Sequence, residues 1–247
     1  MSRPLIPGLA LALALAVLPA YPAHAVKVGY YDMSLGAGNS TQVPPITAVA
    51  APGDTVVQLF DLQSSDLSGV NVLFVQNPSN SSYGAEYLSR LSSVQAAVAG
   101  GMILVLHDRY VTGAAGPGSI LPGGSGFTGQ HDLTTPGSND INILDATSPV
   151  VNGLNDTALD NGSFSSHGFI NANSLPAGAK LILWRPDPAD ALSHNRLVTF
   201  AYAYGNGAVI YSTIPLDQFL AGSGPNPPRA NFTGIYAPNV VHYAVLL

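Results

Sequence analysis

Cysteine is absent from all 247 residues, which excludes disulfides, thiolate nucleophiles, cysteine-ligated metals and the lipidated cysteine of a bacterial lipoprotein. Stability must therefore come from the core. Charge is scarce too: 9% of residues are Asp, Glu, Lys or Arg, and the formal net charge is −6. No basic run occurs, so the clustered Lys and Arg that neutralise nucleic-acid phosphates are missing, and no nucleic-acid partner is expected. Beyond the first 25 residues no apolar stretch reaches the ~20 residues that span a bilayer without meeting a charge or a Gly/Pro cluster. The surface is expected to be built from Ser, Thr, Asn, Gln and Gly, a composition that suits an extracytoplasmic protein.

What is present begins with an export pattern. Arg3 supplies a positive n-region, Leu5 to Leu18 forms an uncharged h-region, and Pro19 and Pro22 break it before Ala23-His24-Ala25, whose small residues suit a signal peptidase. Cleavage near Ala25 is expected, giving a secreted or periplasmic product. The alternative, an uncleaved anchor, is disfavoured by the short run and by Pro7 and Gly8. Residues 26–247, about 220 in all, suffice for one domain with a substantial core. No internal repeat or second boundary is visible. Asn-x-Ser/Thr sequons at Asn39, Asn80, Asn155, Asn161 and Asn231 matter only in a host that glycosylates them.

The first half of this domain has the rhythm of a parallel sheet. Residues 26–31 (VKVGYY), 55–60 (TVVQLF) and 71–76 (NVLFVQ) read as strands. Residues 82–99 place Tyr87, Leu88, Leu91, Val94, Ala97 and Val98 at three- and four-residue spacings, an amphipathic helix ended by Gly100 and Gly101. Residues 102–106 (MILVL) form a continuous apolar run, as in strands buried on both faces. Residues 111–137, rich in Gly, Ser, Thr and Pro, form a long excursion. Strands are expected again at 180–184, 197–203 and 208–213, the last two joined by a Gly205-Asn206-Gly207 turn, with a closing helix from about 238 to 247.

In an open parallel sheet, ligands sit beyond the carboxyl ends of the strands. The run 102–106 ends on His107, Asp108, Arg109 and Tyr110, a dense polar cluster in a chain with so little charge. The segment Val98-Ala99-Gly100-Gly101-Met102-Ile103-Leu104-Val105-Leu106-His107 resembles the helix end, glycine pair, strand and histidine of the trehalose-utilisation (ThuA-like) branch of the class I glutamine amidotransferase-like superfamily. Ser148-Pro149-Val150-Val151-Asn152-Gly153-Leu154 is similar to that branch's His-Pro-Ile/Val-x-x-Gly-Leu segment, with Ser148 in place of histidine. Tyr204-Gly205-Asn206-Gly207-Ala208-Val209-Ile210-Tyr211 is similar to its Gly-x-Gly-x-Val-x-Tyr hairpin. The resemblance implies an α/β, flavodoxin-like three-layer sandwich with a mostly parallel sheet and a C-terminal β-hairpin. It also implies that His107 stands where authentic amidotransferases carry a cysteine on a strained elbow. An imidazole forms no thioester, and Val105 and Arg109 are large neighbours for an elbow, so glutamine hydrolysis is not expected.

His107, Asp108 and Arg109 remain candidates for catalysis, and His107, Arg109, Tyr110, His131 and His167 for ligand binding, against a structural reading of the strand end. His131, His167 and His194 also fall near expected strand ends. With Asp108 or Asp132, histidines have the chemistry of metal ligands or acid/base groups, but no ligand spacing such as H-x-x-x-H occurs, and neither metal nor cofactor is expected. The glycine-rich loops at Gly116-Pro117-Gly118-Ser119 and Gly123-Gly124-Ser125-Gly126 match a Gly-x-Ser-x-Gly elbow only in part and follow no strand. Asp140 with Asp145, and Asp187 with Asp190, read as turn residues rather than calcium ligands. The expected function is binding, without catalysis, of a small molecule, a carbohydrate or a cell-envelope protein. Two alternatives stand beside it: an extracytoplasmic enzyme on a sugar derivative with His107 as acid/base, and a structural module of a surface protein.

Overall fold

The computed structural model describes residues 25–111, 116–134, 138–160, 164–187, 189–190 and 193–247. The export segment before Ala25 and the sequon at Asn161 lie outside the described residues. Strand β1 (Lys27–Asp32) leads through a 3-10 turn to α1 (Val43–Thr47), then β2 (Thr55–Gln58), β3 (Val72–Asn77), α2 (Ala85–Ala99) and β4 (Ile103–Asp108). The short strands β5 (Gly129–His131), β6 (Asn142–Ile143) and β7 (Gly168–Asn171) follow, then β8 (Lys180–Trp184) and the hairpin of β9 (Arg196–Tyr204) with β10 (Gly207–Ser212). Helices α3 (Leu216–Leu220), α4 (Pro228–Asn231) and α5 (Ala237–Leu246) close the chain.

The strands β2-β1-β3-β4-β10 are hydrogen-bonded in that order and pair in parallel throughout. That is the 2-1-3-4-5 order of flavodoxin-like sheets. The apolar runs of β3 and β4 are buried at every residue, because helices cover both faces. On one face Val72, Phe74, Ile103, Val105 and Ile210 pack with Ile46 of α1 and Val240, Val241 and Ala244 of α5. On the other, Leu73, Val75, Leu104, Leu106 and Val209 pack with Tyr87, Val94 and Val98 of α2. The fold is thus a mixed α/β three-layer arrangement.

The remaining strands extend the sheet antiparallel from β9. Beyond Ser212, β7 takes the place of β10 along β9: Ile170 and Asn171 register with Leu197 and Arg196, and His167 N–H donates to the Thr213 carbonyl. A small β5–β7 ribbon therefore rises over the carboxyl ends of β4 and β10.

Several boundaries differ from the sequence expectation. Helix α2 starts at Ala85 rather than 82, because Gly84 packs on Met33: a Cβ there would lie 2.3 Å from the Met33 carbonyl oxygen. Leu88, expected on its apolar stripe, is 42% exposed. Strand β2 stops at Gln58 and β4 continues to Asp108, which places His107 inside a strand. The closing helix begins at Ala237, after α4 and a π-turn at Phe232–Tyr236. Strand β5 falls within the expected excursion, and β6 and β7 in sequence with no expected strand; at two to four residues they are too short to show a period.

Candidate functional site

Four parallel strands end in one polar row, which the antiparallel β9 continues. Asp32 of β1 registers with Gln76 of β3, Gln76 with His107 of β4, His107 with Ser212 of β10, and Ser212 with Thr199 of β9. In β1, β3, β4 and β10 the row residue lies two positions beyond a residue of the α1/α5 face (Tyr30, Phe74, Val105, Ile210), so strand alternation points it to that face. All five are 2% exposed or less. The π-turn brings Tyr236 onto the row, its hydroxyl 3.3 Å from His107 Nε2, 3.2 Å from Thr199 Oγ1 and 3.0 Å from Ser212 Oγ.

His107 is consequently part of the wall. Its ring lies 5.6 Å from Phe74 and 5.8 Å, edge-on, from Tyr236, and burial lowers its pKa to about 3. It is a neutral imidazole whose Nδ1 makes no hydrogen bond among the described residues. A histidine used as acid/base needs a pKa near the working pH. Beside it, neither amide atom of Gln76 has a hydrogen-bond partner among the described residues. Asp32 accepts from Ser34 N–H at 2.9 Å and from Asn39 Nδ2 at 3.4 Å, and burial pushes its carboxyl up.

Asp108 faces the other way and organises the strand end. Its carboxylate accepts from Asn77 Nδ2 (2.9 Å), the Tyr110 and Val111 N–H groups (2.9 and 3.0 Å), Tyr211 OH (2.8 Å) and Tyr83 OH (3.3 Å). Burial raises its pKa and these donors oppose the rise. Val111, held by this carboxylate, sits at φ 59, a left-handed conformation that costs a β-branched residue of order 1–3 kcal/mol. Among the described residues it alone, glycine apart, has positive φ. The strain that accompanies a nucleophile elbow is absent at His107 and appears four residues later.

Arg109 donates from Nη1 to Asp217 of α3 at 2.9 Å and from Nε to Asn80 at 3.1 Å. Burial raises the Asp217 carboxyl; Arg109 pulls it back, and Asp32 adds to the rise. Tyr110 stacks edge-on against Tyr83 at 5.1 Å.

The β5–β7 ribbon carries His131 and His167, their ring centroids 5.9 Å apart, with Phe164 5.8 Å from His167. His167 is buried, and neither ring nitrogen has a hydrogen bond of normal geometry, although the Arg109 backbone lies close enough to favour its protonated form. Burial, then the charge of Arg109, then His131, lower its pKa to about 3.

Arg109, His131 and His167 thus come together at the carboxyl edge, with His107 in the row below. His194 packs instead on Trp184 at 4.4 Å. Asp132 is engaged by the fully buried Arg185 at 2.9 Å. Asp140, Asp145 and Asp187 accept turn hydrogen bonds from Asn142, Thr147 and Ala189, and Asp187 forms an isolated bridge with Asp190. Among the described residues no group of three or more His, Asp or Glu could hold a metal. Sequence reasoning missed Asp32, Gln76, Ser212 and Asp217; the usable signal was their position where an apolar run turns polar. Nearby, a solvent-open cleft of about 580 Å³ is lined by Ser40, Thr41, Phe219, Arg229 and Thr233, among others.

No protein-family model matches the sequence, and no curated protein is similar to it. Among solved structures the chain is similar to a β-galactosidase from Rahnella sp. R3 (TM-score 0.46, 14% identity, 87% of this chain and 31% of that one). It is also similar to an exo-β-1,4-mannosidase from Opitutaceae bacterium strain TAV5 (TM-score 0.46, 9% identity, 90% and 36%). The chain spans about a third of each glycosidase. A cytoplasmic protein from Salmonella typhimurium matches with TM-score 0.52 and 13% identity, over 88% of this chain and 98% of that one. That likeness is one of fold.

Proposed function

We propose that this chain is an exported, ThuA-like domain of the class I amidotransferase-like superfamily that binds a small polar ligand of carbohydrate type without catalysis. The three sequence segments around His107, Ser148 and Tyr204 support the branch, and the 2-1-3-4-5 strand order is compatible with it. The observation that carries the binding reading is the state of His107. The residue standing where the superfamily has its thiol is a neutral, buried imidazole bonded to Tyr236. It offers neither a nucleophile nor a proton exchanged near neutrality. Export also separates the domain from the cytosolic synthetases that amidotransferase domains feed with ammonia.

A binding and turnover screen over saccharides, run on the wild type and His107→Phe, tests this. Binding of a saccharide with no product from either protein is expected. Turnover by the wild type that disappears in His107→Phe overturns the reading in favour of an enzyme with His107 as acid/base.

A further inference from the structure

We propose that His131 and His167, backed by Arg109, form an oxyanion subsite that takes a carboxylate or phosphate group carried by the ligand. The inference rests on the binding reading above and specifies its ligand. Its basis is a pair of imidazoles whose buried nitrogens are under-bonded among the described residues. The β5–β7 register sets His131 opposite Gly168, so the ring of His167, one residue earlier, meets that of His131 at 5.9 Å and 74°. Gly168 has no room for a side chain: a Cβ would lie 2.2 Å from the Gln130 carbonyl oxygen and 2.9 Å from Val111. The ribbon is thereby pressed onto the end of β4. Among the described residues, His131 Nδ1 and both nitrogens of His167 are buried without a hydrogen bond of normal geometry, the Arg109 backbone being the group that comes near His167. Buried polar atoms in folded proteins are overwhelmingly bonded, and each exception calls for an explanation. His167, 2% exposed, forms the floor of the cluster, while His131 and Phe164 are half-buried at its rim.

The sign of the ligand follows from the surrounding charges. The charges of Arg109 and then of His131 bear on His167, Arg109 being itself paired with Asp217. The carboxylates of the adjoining elements are engaged elsewhere: Asp108 by its five donors, Asp217 by Arg109, and Asp132 by Arg185 and Arg196. A cation would find no third ligand among the described residues. An oxyanion would find imidazole N–H donors to receive it. Because burial and Arg109 hold His167 neutral when the site is free, an arriving anion favours its protonation, and binding takes up a proton.

Calorimetry on the full chain with glucose, glucuronate, glucose 6-phosphate and inorganic phosphate, in two buffers of different ionisation enthalpy, tests the assignment. At least one acidic sugar should bind about tenfold or more tighter than glucose, with buffer-dependent heat. His167→Phe should reduce it to the level of glucose, and His167→Gln, which keeps an N–H, should retain part of the gain. His131→Phe, at the half-buried rim, gives the same readout should His167→Phe fail to fold. Equal affinity for all three sugars overturns the subsite and leaves the carbohydrate reading standing. A preference that survives both Phe substitutions also overturns it. Phosphate bound through His167 with no sugar bound supports the subsite and overturns the carbohydrate reading; silence with every probe sinks both.

Discussion

Replacing His107 by phenylalanine probes the polar row most directly, because the substitution keeps a ring between Phe74 and Tyr236 while removing the titratable group. In the native state burial holds this imidazole at a pKa of about 3, whereas an unfolded histidine titrates near 6.5. Between those values the unfolded chain binds a proton that the native chain refuses, so acid favours unfolding. The contribution is complete above about pH 6.5 and is lost as pH falls toward 3, at about 1.4 kcal/mol per unit. At about pH 4.5 the wild type has given up roughly 2–3 kcal/mol through His107 alone, relative to pH 7. Near neutrality the variant loses one hydrogen bond to Tyr236, worth about 0.5–1.5 kcal/mol, but is relieved of an unpartnered buried Nδ1, a penalty of about 1–3 kcal/mol. The two proteins should therefore be of similar stability at pH 7. Urea unfolding of both at pH 7 and about pH 4.5 gives the measurement. The stability difference between variant and wild type should move by roughly 2–3 kcal/mol in favour of His107→Phe on acidification. Buried carboxyls such as Asp32 and Asp217, whose raised pKa values act in the opposite direction, are common to both proteins and cancel. A change below about 1 kcal/mol would refute the claim that His107 is held neutral by burial.

Two further substitutions address how the site is held. Asp108→Ala removes the shared acceptor of five donors, two of them the backbone N–H groups of Tyr110 and Val111. A loss of about 4 kcal/mol or more, and a melting midpoint lower by roughly 10 °C, are expected by calorimetry; a loss under about 1 kcal/mol contradicts the role assigned to this carboxylate. Gly207→Ala would place a methyl 2.3 Å from the carbonyl oxygens of Met102 and Val98. Chemical denaturation should show a cost of about 2 kcal/mol or more. Gly234→Ala, where nothing lies within 4 Å, should stay within about 0.5 kcal/mol; equal behaviour of the two alanine variants would disprove the close approach at Gly207.

The legibility of this chain tracks how local its determinants are. Strands β3 and β4 were readable because burial on both faces writes a continuous apolar run into the sequence, and the glycine pair after α2 marked where β4 begins. His107 to Tyr110 stood out for the same reason, a polar cluster closing an apolar run. Strands β5, β6 and β7 were not readable, since two to four residues rich in Gly, Gln, His and Asn carry no period and exist as strands only because β7, β8 and β9, respectively, offer them an edge. Of the candidate residues, His131 and His167 lie in ring contact with the Arg109 backbone close by, whereas His194 was drawn away to Trp184.

The sequence by itself determined that this chain has no thiol chemistry, little charge, and a parallel α/β core whose β4 ends in His-Asp-Arg-Tyr. These are matters of composition and of periodicity along a single segment. Tertiary structure alone decided what those residues do. Register across five strands aligned Asp32, Gln76, His107, Ser212 and Thr199, and strand alternation sent His107 and Asp108 to opposite faces. Burial beneath Tyr236 then left His107 neutral, while a ribbon from the far half of the chain carried His131 and His167 over the same strand end. Proximity between residues more than a hundred positions apart is a property of pairing and packing, and no local pattern encodes it.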